Sequence, residues 1–312
     1  MVKQTTKLRG EAAFDLFYLE VFGTERWPKL KQALLEEKRP VARENLFAKD
    51  NGNDTDTDTD TDKDNLHKYY SMDLASIWAA QALMQVPIQT PIADEEKASP
   101  TAPIRVLDLC AAPGGKSLIL AEGMSTKNVD GEFVLQGELI LNERSAARRA
   151  RLLRTLNDYL PANIRAKIKV YGHDASSWCV RDKSDGYDRI LLDAPCSSER
   201  HLLLSSNKSH MADWSKKRTQ CLCREQYAML VSGLQVLRPG GCLLYSTCAL
   251  SPLENDGLVA RLEQRFFKRR GSIEILRPTF PQGEATKYGW WILPDQCEGL
   301  GPMFLALFRR SS

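Results

Sequence analysis

Six short apolar runs, at 105–109, 138–141, 167–170, 189–192, 242–245 and 303–308, alternate with stretches of helical spacing, notably 145–159 and 217–237. Runs that are apolar throughout suit strands covered on both faces, and regular alternation with helices predicts a mostly parallel sheet between two helical layers. In such a sheet a ligand sits beyond the carboxyl ends of the strands. The residues just after each run are therefore where chemistry is expected. This pattern begins near Leu66 and predicts one α/β domain over residues 65–312.

Ahead of it, Phe14, Phe17, Tyr18, Val21 and Phe22 recur at helical spacing until Gly23 stops the pattern. A second helix begins near Trp27-Pro28 and uses Leu30 and Leu34, so residues 1–50 read as a small helical segment. Alternating Asp and Thr from Asp54 to Asp62 have no apolar group to bury and repel one another. Residues 51–64 are expected to be a disordered acidic linker, a poor partner for a polyanion. No apolar stretch approaches the roughly 20 residues that cross a bilayer. Lys3, Lys7 and Arg9 are followed at once by Glu11 and Asp15 without an apolar signal core, which makes a poor targeting peptide. Eight cysteines, spread from Cys110 to Cys297, then argue for a reducing compartment. The cytoplasm is the expected location, with the mitochondrial matrix as the alternative. Cys221 and Cys223 lack a matching His or Cys pair, so no metal site is expected.

The first run leads into Cys110-Ala111-Ala112-Pro113-Gly114-Gly115-Lys116, followed by a helix. Small residues let backbone approach a ligand, and a helix N-terminus offers free N–H groups to a carboxylate or phosphate. Gly114 and Gly115 do not fit the G-x-G-x-x-G spacing of a dinucleotide site. Gly115-Lys116-Ser117 matches the end of a triphosphate loop, but Cys110 stands where its first glycine belongs. S-adenosylmethionine remains, with its carboxylate on this turn. Glu143, just after the second run, is placed to accept from ribose hydroxyls, and Asp174, after the third, to reach an adenine amine. Either acid alone is ordinarily a solvated strand-end residue; the two together, downstream of the turn, favour a nucleoside.

The fourth run leads into Asp193-Ala194-Pro195-Cys196 and the fifth into Ser246-Thr247-Cys248. A buried cysteine is ordinarily a small hydrophobe. Here both fall on the rim that carries the glycine turn. A free thiol has a pKa of roughly 8.5, so a nucleophilic cysteine needs help to ionise. Ser251-Pro252-Leu253-Glu254 reads as an N-cap, a first-turn Pro and an N3 Glu, and predicts a helix whose positive end lies just beyond Cys248.

The runs Asp108-Leu109-Cys110-Ala111-Ala112-Pro113-Gly114-Gly115-Lys116, Asp193-Ala194-Pro195-Cys196-Ser197 and Tyr245-Ser246-Thr247-Cys248 resemble, in order, the motifs of the Sun-domain RNA cytosine-5 methyltransferases. The resemblance spans about residue 66 to the C-terminus. It implies the class I S-adenosylmethionine-dependent methyltransferase fold, a Rossmann-like sheet with helices on both faces. It implies that Cys248 attacks the base, that Cys196 assists product release, and that Asp193 touches both cofactor and base. It further implies cofactor contacts at Gly114, Gly115, Lys116, Glu143, Arg148 and Asp174, beside the turn residues Cys110, Ala111 and Pro113. Ser198 stands where many members have glycine. The opening segment, Tyr69-Tyr70-Ser71-Met72-Asp73 and Arg200-His201-Leu202 resemble the bacterial and mitochondrial branch acting on small-subunit ribosomal RNA. Ribosomal RNA is thus the expected substrate, with tRNA the alternative, and an RNA-binding protein or ribosomal subunit is an implied partner.

A formal net charge of +3 is too slight to identify a polyanion partner, so local runs matter more. Arg144, Arg148, Arg149, Arg151 and Arg154 form one basic stretch and Arg265, Lys268, Arg269 and Arg270 another; each reads first as a solvated helix face. Lys216-Lys217-Arg218, with Trp214 placed to stack on a base, is the better candidate for RNA contact.

Overall fold

A computed structural model describes residues 9–37, 40–48, 66–88, 103–182, 184–267 and 273–311. The acidic run at 51–64 and Lys268, Arg269 and Arg270 lie outside the described residues. All six apolar runs are strands of one nine-stranded sheet. In chain order the sheet strands are β3 (Arg105–Asp108), β6 (Glu138–Asn142), β7 (Ile168–Tyr171), β8 (Tyr187–Asp193), β9 (Leu237–Thr247), β10 (Ile273–Leu276), β11 (Glu284–Ala285), β12 (Trp290–Ile292) and β13 (Met303–Arg310). The remaining strands, β1 (Val41–Glu44), β2 (Tyr69–Met72), β4 (Ser125–Lys127) and β5 (Phe133–Leu135), form two small antiparallel pairs.

The central order is β7-β6-β3-β8-β9, all parallel. β13 then adds antiparallel to β9 and carries β12 on one side, with β10 also pairing to it. The chain starts in the middle at β3, builds outward through β6 and β7, and crosses back to β8. The strand order therefore reverses between β3 and β8, and a crevice opens there. Leu107, Leu141, Leu191 and Leu244 are wholly buried, as strands covered on both faces require. Each such side chain contributes about 1.5–3 kcal/mol of burial free energy. The Ala146–Tyr159 and Lys216–Gln235 helices match the two expected helices to within two residues at each end, and Ser145 caps the first through Arg148 N.

The opening helix, Gly10–Leu35, is kinked at Gly23, which adopts φ 80° and ψ 167°. That left-handed value is one glycine reaches without steric cost. Phe14, Tyr18, Trp27, Leu30 and Leu34 form an apolar cluster with Trp214, Leu250 and Leu293. Trp214 is only 6% exposed, and its ring lies 5.3 Å from that of Phe14. The expected stacking of Trp214 on a base is therefore corrected: its large apolar ring is already spent anchoring the opening helix. β1, within the first fifty residues, pairs with β2 from beyond the acidic run.

Candidate active site

The strand ends at the crevice are tied together by one side chain. Asn142, 1% exposed, donates to the carbonyls of Leu109 and His173, and accepts from His173 N at 2.8 Å. A buried amide with its hydrogen bonds met in this way fixes the ends of β3, β6 and β7 in mutual register.

The turn after β3 lines a cleft of about 180 Å³ with Tyr70, Ser71, Met72, Ser76, Asp108, Cys110, Ala111, Ala112, Pro113, Gly114, Gly115, Lys116 and Asp193. The Gly115–Gly123 helix starts at the cleft. The glycines answer first to packing. A Cβ at Gly114 (φ 123°) would meet Thr155 Cγ2 at 2.9 Å, and one at Gly115 would meet Tyr70 Cε1 at 2.8 Å. Arg148 donates to Ala112 O at 2.8 Å, which brings it to the turn. Glu143 and Asp174 stand at the neighbouring strand ends, outside that lining. Glu143 accepts from Ser145 N at 2.8 Å and faces Arg148 Nε at 3.5 Å. Asp174 caps the Ala175–Ser177 turn by accepting from Ser176 N and Oγ, which hold its carboxyl below the usual range.

Two acids meet in the crevice: Asp193, expected from the sequence, and Asp108, to which the motif assigned no role. Asp108 is 1% exposed and accepts from Ser117 Oγ at 2.8 Å; burial pushes it to about 7, against that hydrogen bond. Asp193, at the end of β8, accepts from Lys116 Nζ at 2.7 Å and from Ser246 Oγ at 2.7 Å. Burial works against the charge of Lys116, and the adjacent Asp193 more than offsets it. The ammonium also donates to Ser76 Oγ at 3.0 Å, so it ties Asp193 to the turn.

Cys196 and Cys248 meet at this rim with their sulfurs 3.0 Å apart. The contact pushes the two thiols in opposite directions. Donation from Cys196, and then from Ser198 Oγ at 3.2 Å, lowers Cys248 against its desolvation. The same thiol–thiol bond, with burial, raises Cys196 well above the ordinary thiol value. Both directions favour the thiolate on Cys248. The helix dipole expected to assist it is absent from that place. Pro252–Asn255 forms a turn, and the next helix is Asp256–Leu262, whose N-cap residue Asn255 makes no side-chain cap hydrogen bond. Glu254 turns inward instead, because Tyr245 OH donates to its backbone carbonyl at 2.7 Å and Gln226 Nε2 to its carboxyl at 2.7 Å.

Behind the cysteines lies a buried network that the motifs do not announce. The Ser197 hydroxyl contacts the carboxyls of both Glu199 and Glu254, each fully buried, and Ser197 N donates to Glu254 Oε2 at 3.0 Å. Tyr18 OH donates to Glu199 at 2.6 Å, which joins the opening helix to the Cys196 loop. One serine proton cannot serve two carboxylates. Desolvation, then the proximity of Glu199, pushes Glu254 up to about 7, so it holds the additional proton in the neutral range and below. A carboxyl raised in the folded state stabilises fully below its unfolded pKa, near 4.3, and that contribution is lost as pH rises through about 7. Glu254→Gln removes this dependence. Its melting temperature should fall less than that of the wild type between pH 5 and pH 8.5. Parallel curves would contradict the assignment.

A larger hollow, about 770 Å³, lies between β1, β5 and the Arg43–Glu122 ion pair; its lining mixes both charges and carries no thiol. Among the described residues no group of three or more His, Cys, Asp or Glu is arranged to hold a metal, and no helix is long and apolar enough to cross a membrane. Arg144 and Arg148 stand exposed beside the crevice, with side chains 72% and 47% accessible. The ammonium of Lys216 lies over the Phe17 ring.

A mostly parallel sheet with its glycine turn at the switch point defines a Rossmann-like fold of the class I methyltransferase type, and an acid and two thiols stand on the same rim. The chain belongs to the family described as 16S rRNA methyltransferase RsmB/F, whose model matches residues 98–309. It is 34% identical over 257 residues to 5-cytosine rRNA methyltransferase NSUN4 of Xenopus laevis, covering 78% of this chain and 57% of that protein. It is 32% identical over 217 residues to the mitochondrial tRNA (cytosine(34)-C(5))-methyltransferase of Danio rerio, covering 66% of this chain and 54% of that protein. The chain thus spans little more than half the length of these curated relatives. Among solved structures, a methyltransferase homolog protein from Pyrococcus horikoshii superposes with TM-score 0.64 at 22% identity, over 95% of this chain and 94% of that one. NSun6 from the same organism, solved with SFG, gives 0.57 at 23%, over 78% and 54%. Both solved structures share the fold.

Proposed function

We propose that this protein transfers a methyl group from S-adenosylmethionine to carbon 5 of a cytosine in small-subunit ribosomal RNA. Cys248 is the nucleophile, Cys196 the group that assists release, and Asp193 the acid beside the base. The observation that carries the reading is the pair of thiols 3.0 Å apart at the strand rim, on the same edge as Asp193 and the glycine turn. Carbon 5 of cytosine is too weak a nucleophile to take a methyl group directly. A thiolate adding to carbon 6 makes it enamine-like. A carboxylic acid hydrogen-bonded to N3 and the amino group stabilises that adduct. A protein that only bound RNA would need neither thiol.

S-adenosylmethionine, when bound, supplies the electrophilic methyl group. The residues present suit it: the Lys116 ammonium and the first N–H groups of the Gly115–Gly123 helix favour a carboxylate at the turn formed by Cys110, Ala111, Pro113, Gly114 and Gly115. Glu143, Arg148 and Asp174 would complete the holding set. The division into a helical segment over 1–50 and a catalytic unit over 65–312 is part of this proposal, with the first segment held to the second through the Tyr18–Glu199 bond.

The family description and the frog relative name ribosomal RNA; the fish relative names tRNA and is mitochondrial, which favours the matrix over the cytoplasm expected at first. An RNA-binding protein or the ribosomal subunit itself is the partner this reading allows. The test is transfer of labelled methyl groups to isolated small-subunit RNA, assembled subunits and tRNA, followed by nucleoside analysis. Labelled 5-methylcytidine in the ribosomal samples is expected. Label in tRNA alone would change the substrate, and label in none would give the lead to a non-catalytic ribosome-assembly role.

A further inference from the structure

Ser198 lies in the left-handed region at φ 53° and ψ 56°, where glycine is favoured and a residue with a Cβ is uncommon. Its hydroxyl oxygen is 3.2 Å from Cys248 Sγ, 3.4 Å from Cys196 Sγ and 3.4 Å from the Cys196 carbonyl oxygen. One hydroxyl proton therefore faces three acceptors. Donation to an anion is about twice as strong as donation to a neutral group, so whichever sulfur is ionised takes it. Among the described residues, Ser198 and Cys196 are the two side chains placed within hydrogen-bond reach of Cys248 Sγ.

We propose that the Ser198 hydroxyl is a catalytic hydrogen-bond donor used by the two cysteines in turn: by Cys248 before attack, and by Cys196 during release. The proposal rests on the reading of Cys248 as nucleophile and Cys196 as the releasing group. The flow of charge gives the reason for a shared donor. Before attack, Cys248 holds the negative charge and Cys196 its proton. Once the Cys248 sulfur bonds to carbon 6 it is a neutral thioether, a weak acceptor. Cys196 then gives its proton to water and becomes the anion that needs support. Its sulfur takes the proton from carbon 5, the freed pair restores the C5–C6 double bond, and the S–C6 bond breaks with its pair returning to Cys248. Both sulfurs lie within 3.4 Å of the same oxygen, so the hydroxyl turns from one to the other without backbone movement.

A purely conformational role makes the opposite prediction. Glycine reaches this φ without a Cβ penalty, so if Ser198 only shaped the loop, Ser198→Gly would match or exceed the wild type. The test is iodoacetamide alkylation of the RNA-free protein across pH, read at Cys248 by peptide mass, in wild type, Ser198→Gly and Ser198→Ala. Methyl transfer is measured alongside. The expected midpoint for Cys248 moves up by about one pH unit in both variants, leaving roughly tenfold less thiolate at neutral pH. Methyl transfer falls by about the same factor and recovers at higher pH. An unmoved midpoint overturns the proposal. A moved midpoint with unchanged methyl transfer keeps the hydrogen bond but overturns the nucleophile assignment on which its catalytic role depends. The glycine variant, free of backbone strain, keeps the test valid where alanine disturbs the loop.

Discussion

Cys248→Ala is expected to abolish methyl transfer, by roughly 10⁴–10⁶-fold, the scale on which removal of an enzyme's nucleophile acts. Affinity for S-adenosylmethionine should stay within about twofold of the wild type, because the cleft lining does not include Cys248. The substitution removes one sulfur and leaves Ser198 and Cys196 still hydrogen-bonded to each other at 3.4 Å. The fold is therefore expected to survive, and a thermal melt run beside the assay separates lost chemistry from lost structure. Product formation at the wild-type rate would take Cys248 out of the mechanism.

Cys196→Ala should behave differently, accumulating RNA joined covalently to the protein. Without its thiol the proton on carbon 5 loses the acceptor assigned to it, so the methylated adduct forms but resolves slowly. The same substitution removes the main donor that lowers Cys248. Adduct formation should then require higher pH than methyl transfer by the wild type, because a Cys248 without that donor ionises later. Slow formation and slower decay together give net accumulation, visible as a protein band that survives denaturation. Release of product at the normal rate would count against Cys196.

Much of this architecture is legible in the sequence because strands buried on both faces leave continuous apolar runs. The runs at 105–109 and 189–192 fall on β3 and β8, and the switch between them locates the crevice. Asp193, Cys196 and Cys248 are legible for a related reason: each stands at or just past a strand end, and parallel pairing of β8 with β9 brings those ends together at Asp193 and Ser246. What escapes depends on partners distant in the chain. The β1–β2 ladder joins residues on opposite sides of an acidic run, with no local turn signal. Trp214 carries the same aromatic signal whether it stacks on a base or packs under Phe14, and only the opening helix decides. Ser251-Pro252-Leu253-Glu254 has the composition of a helix start, yet Glu254 is drawn inward by Ser197 and Gln226, and the turn delays the helix to Asp256. Ser198 looks in sequence like a small departure from glycine; its left-handed backbone and its place between two sulfurs appear only in three dimensions.

The most direct measurement of the central claim is denaturing electrophoresis of Cys196→Ala and of Cys196→Ala/Cys248→Ala after incubation with ribosomal RNA and S-adenosylmethionine, with the joined peptide identified by mass. A cofactor-dependent RNA adduct on the Cys248 peptide of the single variant, absent from the double variant, is the expected result. An adduct that persists in the double variant, or normal 5-methylcytidine production by it, would contradict attack by Cys248.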